Sequence, residues 1–209
     1  FPLKGFTFDW YIEMWNKARL HKALWNSIKV GVITAIISTF IALFAAKAFT
    51  RYRVKYSGLS YGALLLPFII PEIIIAVAFI VIWTSMGLKL GLIPITISHI
   101  LYCTPFCLLI LISRMDGFDK SLEEASMDLG ENIIGTFWRV TFPLLLPGII
   151  ASLLLSFVIS FDEFILAFFL SSSDQTLPIY MWSQLRFPKK LPHVLALGAI
   201  IIVATSFIV

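Results

Sequence analysis

Five stretches of this chain are long and apolar enough to need burial on every side: 27–49, 62–86, 92–112, 144–170 and 193–209. A helix crosses the hydrocarbon layer with about 20 apolar residues, and each stretch meets or nearly meets that length. The chain is 59% hydrophobic and only 13% charged, against about 25% charged in an ordinary soluble domain. The deficit comes from these runs rather than from an enlarged core. The expected fold is therefore all-α, a polytopic helical membrane bundle. It comprises a first polar and aromatic segment (1–26), the five spans and one long polar loop at 113–143.

The remaining composition excludes several classes. The net charge is +4, but Lys and Arg lie in the connecting segments and form no run suited to nucleic acid. Cys103 and Cys107 sit four apart inside an apolar span, where ordinary helix packing explains them and a metal centre would need more ligands. No HExxH, GxSxG or paired-aspartate motif points to an intramembrane enzyme, and no GxxxxGK[ST] loop could hold nucleotide. The chain opens at Phe1 without a methionine and its last run stops at Val209 without a polar flank. A piece of a longer protein is expected, with a further span before Phe1.

Within the spans, Pro67, Pro71 and Glu72 interrupt the second run, and Ser98, His99 and Pro105 the third. Asp162 and Glu163 interrupt the fourth, and 87–91 is short enough to demand a tight hairpin. Alternation puts loops 50–61 and 113–143 on one side of the membrane. Lys/Arg counting leaves the orientation open, with six on that side and nine on the other; only the dense run Arg51, Arg53 and Lys55 marks the first side as cytoplasmic.

The polar loop is patterned. Six of the twelve acidic residues fall within 116–131. Ser121 and Glu124 have capping-box spacing, and Leu122, Ala125, Leu129 and Ile133 recur at the interval of one helical face. Gly130 stands where a helix would end in a left-handed turn. Asn132 can cap a second short helix carrying Ile133, Ile134, Phe137 and Trp138, closed by Pro143. The expectation is two short amphipathic helices meeting at a glycine hinge, with an acidic exposed face. Lipid would prefer a basic one.

Glu124-Ala125-Ser126, then Gly130, Val140, Phe142 and Pro143, resemble the signature loop of ABC-importer permeases: Glu-Ala-Ala, three residues, Gly, nine residues, Ile, one residue, Leu-Pro. Every spacing matches, with Ser126, Val140 and Phe142 as small or apolar departures. The resemblance implies that the loop is cytoplasmic and forms coupling helices on a separate ATPase. Glu123, Glu124, Ala125, Ser126, Gly130, Phe137, Val140 and Pro143 would then be the coupling positions. It further implies a sister permease, two cytoplasmic ATPase subunits that bind ATP and Mg, an external substrate-binding protein and a multi-pass place in a bacterial inner membrane. No cofactor or metal is expected in this chain.

Gly5-Phe6-Thr7 with Trp10-Tyr11, Pro71-Glu72-Ile73, Ser98-His99 with Pro105-Phe106, Ser160–Glu163 and Thr176-Leu177-Pro178 are similar to permeases of the spermidine/putrescine group. That implies a polyamine substrate. Charged groups inside a span usually face a protein interior or a wet cavity. Glu72, Asp162, Glu163 and His99 are accordingly the candidate pathway residues, with Asp162 some 27 Å along a helix from Leu144 at 1.5 Å per residue. Acids at a pathway mouth would attract a polycation. Asp162 and Glu163 could equally mark the end of the span, and His99 could simply pack between helices. Two other readings stay open: a permease for another small solute, and an ion-coupled secondary transporter using the same acids.

Overall fold

The computed structural model describes residues 7–52 and 55–208. Gly5 and Phe6 of the first motif and Arg53 of the basic run lie outside them. The described residues contain no strand. In order they form α1 (Asp9–Trp15), α2 (Ala18–Arg51), α3 (Ser57–Ile69), α4 (Glu72–Ser85) and α5 (Leu92–Asp116). Then come α6 (Ser121–Asp128), α7 (Ile133–Thr136), a π turn (Phe137–Thr141), α8 (Phe142–Asp162), α9 (Ile165–Leu170), α10 (Leu177–Leu185), a 3₁₀ turn (Pro188–Lys190) and α11 (Leu191–Ile208).

The bundle is built on α2, α5 and α8, and small residues let their backbones approach. Helix association in lipid has no hydrophobic drive between apolar surfaces, so close packing and interhelical polar contacts must hold it. On α8 the buried positions Gly148, Ser152, Ser156 and Ser160 repeat every fourth residue. Facing them on the antiparallel α5 are Leu111, Cys107, Cys103 and His99, also every fourth residue and all buried. The Cys107 thiol lies 3.7 Å from the Ser152 carbonyl and the Cys103 thiol 3.8 Å from that of Ser156. Both cysteines are free, and their role is packing in this seam. Gly31 of α2 completes the approach, because a Cβ there would sit 3.0 Å from the Phe157 ring.

Two expected spans are broken. The run 62–86 is not one helix: α3 and α4 meet at 103°. Pro71 removes an N–H and pushes Ile70 into the extended region, at φ −76° and ψ 132°, so α3 must stop. Glu72 then opens α4, where the helix dipole favours an acid. The run 144–170 breaks at Glu163, with α8 before it and α9 after. By length and hydropathy, three described helices could cross a membrane: α2, α5 and the α7–α8 continuum. A fourth crossing follows if α3 and α4 count as one bent span. The apolar part of α11 falls short of that test.

Candidate functional site

The polar loop begins where α5 ends. Asp119 Oδ1 accepts the Ser121 backbone N–H at 2.9 Å, and the Leu122 N–H reaches the Asp119 carbonyl at 3.2 Å. Asp119 therefore opens the first turn of α6, and the Ser121–Glu124 capping box does not form. Asp119 takes the Ser121 N–H that the Glu124 carboxylate would have taken, and the Glu124 N–H, which the serine hydroxyl would have taken, bonds the Lys120 carbonyl at 3.2 Å instead. The same N–H holds the Asp119 carboxyl below the usual carboxylate range.

The end of α6 follows the sequence expectation. Gly130 has φ +93°; its N–H bonds to the Met127 carbonyl at 2.9 Å and that of Glu131 to the Ser126 carbonyl at 3.2 Å. This pair of bonds is a Schellman ending, which needs a left-handed residue. Asn132 Oδ1 then caps α7 through the Gly135 N–H at 2.8 Å. Pro143 does not close this helix. The Phe142 N–H bonds back to Phe137 in a widened π turn, and the chain continues straight into α8 with Pro143 in its first turn. Such bulges recur at functional sites.

The exposed face differs from expectation. It keeps exposed acids, Asp116, Asp119, Glu124 and Asp128, but apolar side chains share it: Leu129 is 89% exposed, Ile134 71% and Ile133 60%, and Leu122, Ala125 and Met127 are exposed beside them. Glu124 faces out and pairs with Lys120 at 3.3 Å, while Glu131 pairs with Arg139. Ser126 shares a hydrogen bond with Thr136 at 3.1 Å, and Val140 is half-buried. The half-buried Phe137 ring lies 4.6 Å beneath the Lys47 ammonium. The acid that turns inward is Glu123.

Glu123 is part of a buried ionic node that sequence reasoning missed. Arg51 Nε, in the last turn of α2, lies 2.8 Å from Glu123 Oε2, with both side chains 9% exposed. The Thr141 hydroxyl donates to the other carboxylate oxygen. Arg51 Nη2 donates to the carbonyls of Met115 at 3.1 Å and Phe118 at 3.4 Å, and the guanidinium lies 4.7 Å from the Phe118 ring centroid. Breaking one partner of such a buried pair costs about 3–5 kcal/mol, because it strands the other charge.

At the opposite end of the seam, His99 Nδ1 meets the Ser160 hydroxyl at 2.8 Å. Its Nε2 stands 3.1 Å from Glu163 Oε2, within ion-pair distance but off the line of a hydrogen bond. Glu163 accepts the backbone N–H groups of Leu166 at 2.9 Å and Ala167 at 3.1 Å, so it caps α9. The structure thus brings His99 and Glu163 together in a closed interior. It keeps the other two candidates apart: Glu72 takes a hydrogen bond from Tyr102, and Asp162 is exposed at the end of α8. Among the described residues no three His, Cys, Asp or Glu side chains converge to hold a metal.

This helical bundle, with its polar loop of two capped helices, can be compared with known proteins. Residues 38–209 match the family described as the binding-protein-dependent transport system inner membrane component. The chain belongs to that family. This permease is 30% identical to the spermidine/putrescine transport system permease protein PotC of Haemophilus influenzae, over 99% of the chain and 80% of that protein. It is 31% identical to PotC of Escherichia coli K12, over 99% and 78%. With the putrescine transport system permease protein PotI of the same organism it shares 26%, over 98% and 75%.

Two solved structures have the same fold. A bacterial ABC transporter that imports the acidic polysaccharide alginate superposes with TM-score 0.71 at 18% identity, covering 85% of this chain and 62% of that one. The alginate transporter in complex with its alginate pentasaccharide-bound periplasmic protein gives 0.73 at 15%, covering 97% and 80%. The permease is thus a transport subunit of an ABC importer, resident in the inner membrane, and not a catalyst.

Proposed function

We propose that this permease carries polyamines, forming the pathway with a sister permease. Two separate cytoplasmic ATPase subunits, which bind the ATP and Mg, power it, and an external substrate-binding protein supplies it. The observation that carries the substrate class is likeness over 99% of the chain to permeases named for spermidine and putrescine. The alginate importers share only the fold, so nothing favours a polysaccharide. Asp162 suits the reading: an exposed carboxylate at the end of a span attracts a polycation and eases its desolvation. Glu163 and His99, engaged with each other and with α9, hold the broken helix in place behind it. Glu72 is a second candidate on the pathway, tied to Tyr102.

In this reading the 113–143 end faces the cytoplasm, and α2, the bent α3–α4 pair, α5, α8 and α11 are the five spans. The apolar ledge of Leu122, Ala125, Leu129 and Ile133, flanked by Glu124 and ended by Gly130, is the surface on which an ATPase subunit docks. Apolar side chains exposed on a polar loop away from lipid need a protein partner to cover them.

The test is uptake of labelled spermidine and putrescine into proteoliposomes holding the assembled transporter, with its receptor outside and ATP inside. ATP-dependent uptake, competed by unlabelled polyamine, is expected. Transport of a different solute with polyamines excluded rejects the substrate class. Uptake that follows an ion gradient and ignores ATP rejects the ATP-driven mechanism.

A further inference from the structure

The exposed apolar residues of α6 and the buried Glu123 lie on different faces of the helix. Its apolar side chains point away from the permease, so they contribute little to holding α6 against it. What reaches inward is Glu123, 7% exposed. Its two carboxylate oxygens go to different elements, Oε2 to Arg51 on α2 and Oε1 to Thr141 at the entrance of α8. Through Arg51 the same node reaches the Met115 carbonyl in the last turn of α5 and the Phe118 carbonyl just beyond it. One carboxylate and one guanidinium therefore join α6 to the ends of all three helices that build the bundle. Among the described residues this is the one Lys/Arg–carboxylate pair with both side chains buried; the others are at least partly exposed.

We propose that the Arg51–Glu123 pair is the positioning contact through which displacement of α6 is passed to α2, α5 and α8. Both residues act inside the permease and neither touches the ATPase. An apolar contact between helices slips with little loss, since one methyl group replaces another. A charge-assisted pair in a water-poor site does not, because separation strands two charges in low dielectric. The guanidinium fork adds direction, binding a carboxylate with one nitrogen and helix-end carbonyls with another. A push on the apolar ledge is thus delivered to the spans through this node instead of being absorbed by the loop. The inference rests on reading 121–143 as the ATPase contact.

The experiment uses the assembled transporter in proteoliposomes and reads three quantities: ATPase subunits retained, ATP hydrolysed, and uptake per ATP. Glu123→Gln keeps the shape and removes the charge. It is expected to retain the ATPase subunits and hydrolyse ATP while uptake per ATP falls about tenfold, a typical coupling between sites. Arg51→Met should behave alike. If it fails to assemble, Arg51→Lys decides in its place, since it keeps the charge but not the fork; a partial fall is expected. A wild-type ratio in Glu123→Gln or in Arg51→Lys overturns the proposal. So does release of the ATPase subunits by Glu123→Gln, which would make Glu123 a docking residue. Leu129→Glu, on the outer ledge, separates this from the underlying reading: it should release the ATPase subunits, and if it leaves them bound the docking assignment itself fails.

Discussion

His99 of α5 and Ser160 of α8 meet at 2.8 Å inside the bundle, and the far ring nitrogen of His99 stands 3.1 Å from Glu163. Glu163 turns its carboxylate onto the first N–H groups of α9, and the His99 ring lies against that carboxylate. Replacing Glu163 by Ala removes the cap, with an expected cost of about 0.5–2 kcal/mol. His99→Leu leaves buried polar partners unsatisfied, at about 1–3 kcal/mol. Thermal unfolding of the detergent-solubilised transporter checks both, and Glu163→Gln should retain most of the stability because its amide oxygen can still cap.

Gly130 holds φ +93°, which costs a side-chain-bearing residue about 1–2 kcal/mol. A β-branched residue fits worst. Gly130→Val is expected to insert and express normally, because no span is touched, but to uncouple ATP hydrolysis from uptake as α6 and α7 lose their angle. Wild-type uptake per ATP in this variant would remove the hinge assignment.

Asp162 is exposed while its neighbour Glu163 is buried, so the two acids are separable. Asp162→Asn should raise the KM for polyamine several-fold with little change in thermal stability, as the loss of a steering charge predicts. Glu163→Ala should do the reverse, lowering stability first. Identical kinetics in Asp162→Asn and the wild type would make Asp162 a boundary residue.

Asp119 offers a pH test. Its carboxyl is held below the usual range by the Ser121 N–H it accepts, so it favours the folded loop when ionised. A lowered folded pKa gives a contribution complete above the ordinary Asp value of about 3.9 and lost as pH falls through the folded value. Hydrogen exchange at the Ser121 amide should therefore be flat from neutral pH down to that region and quicken below it, after correction for intrinsic exchange. Asp119→Ala should exchange fast throughout.

What the sequence made legible was local. The apolar runs announce spans because length and composition act without tertiary help, and Gly130 and Asn132 were readable because an ending or a cap involves residues only a few positions apart. Where two local signals competed, spacing could not choose: Asp119 and Glu124 both offer a carboxylate to the Ser121 N–H, and Asp119 took it. Pro71 was visible as an interruption, but the 103° between α3 and α4 depends on α4 finding a surface on α9, which no spacing records. The apolar face of α6–α7 was read correctly as one face, yet which way it pointed was not. That direction is set by Arg51, 72 residues from Glu123 in sequence, and a pairing at that distance is a property of the folded bundle.

The α5–α8 seam also has a mechanical consequence. It is fastened at one end by His99 on Ser160 and at the other by Arg114, whose Nε donates to the Leu144 carbonyl at 3.2 Å. Between these points the polar contacts that cross it are two thiols at 3.7 and 3.8 Å from backbone carbonyls, and thiols are weak donors. The Ser156 hydroxyl turns back to its own helix at 2.6 Å. A seam tied at its ends and held in the middle by packing and weak thiol contacts is stiffest at its two ends. The helices can adjust their mid-membrane spacing while both moorings hold, without breaking a strong hydrogen bond.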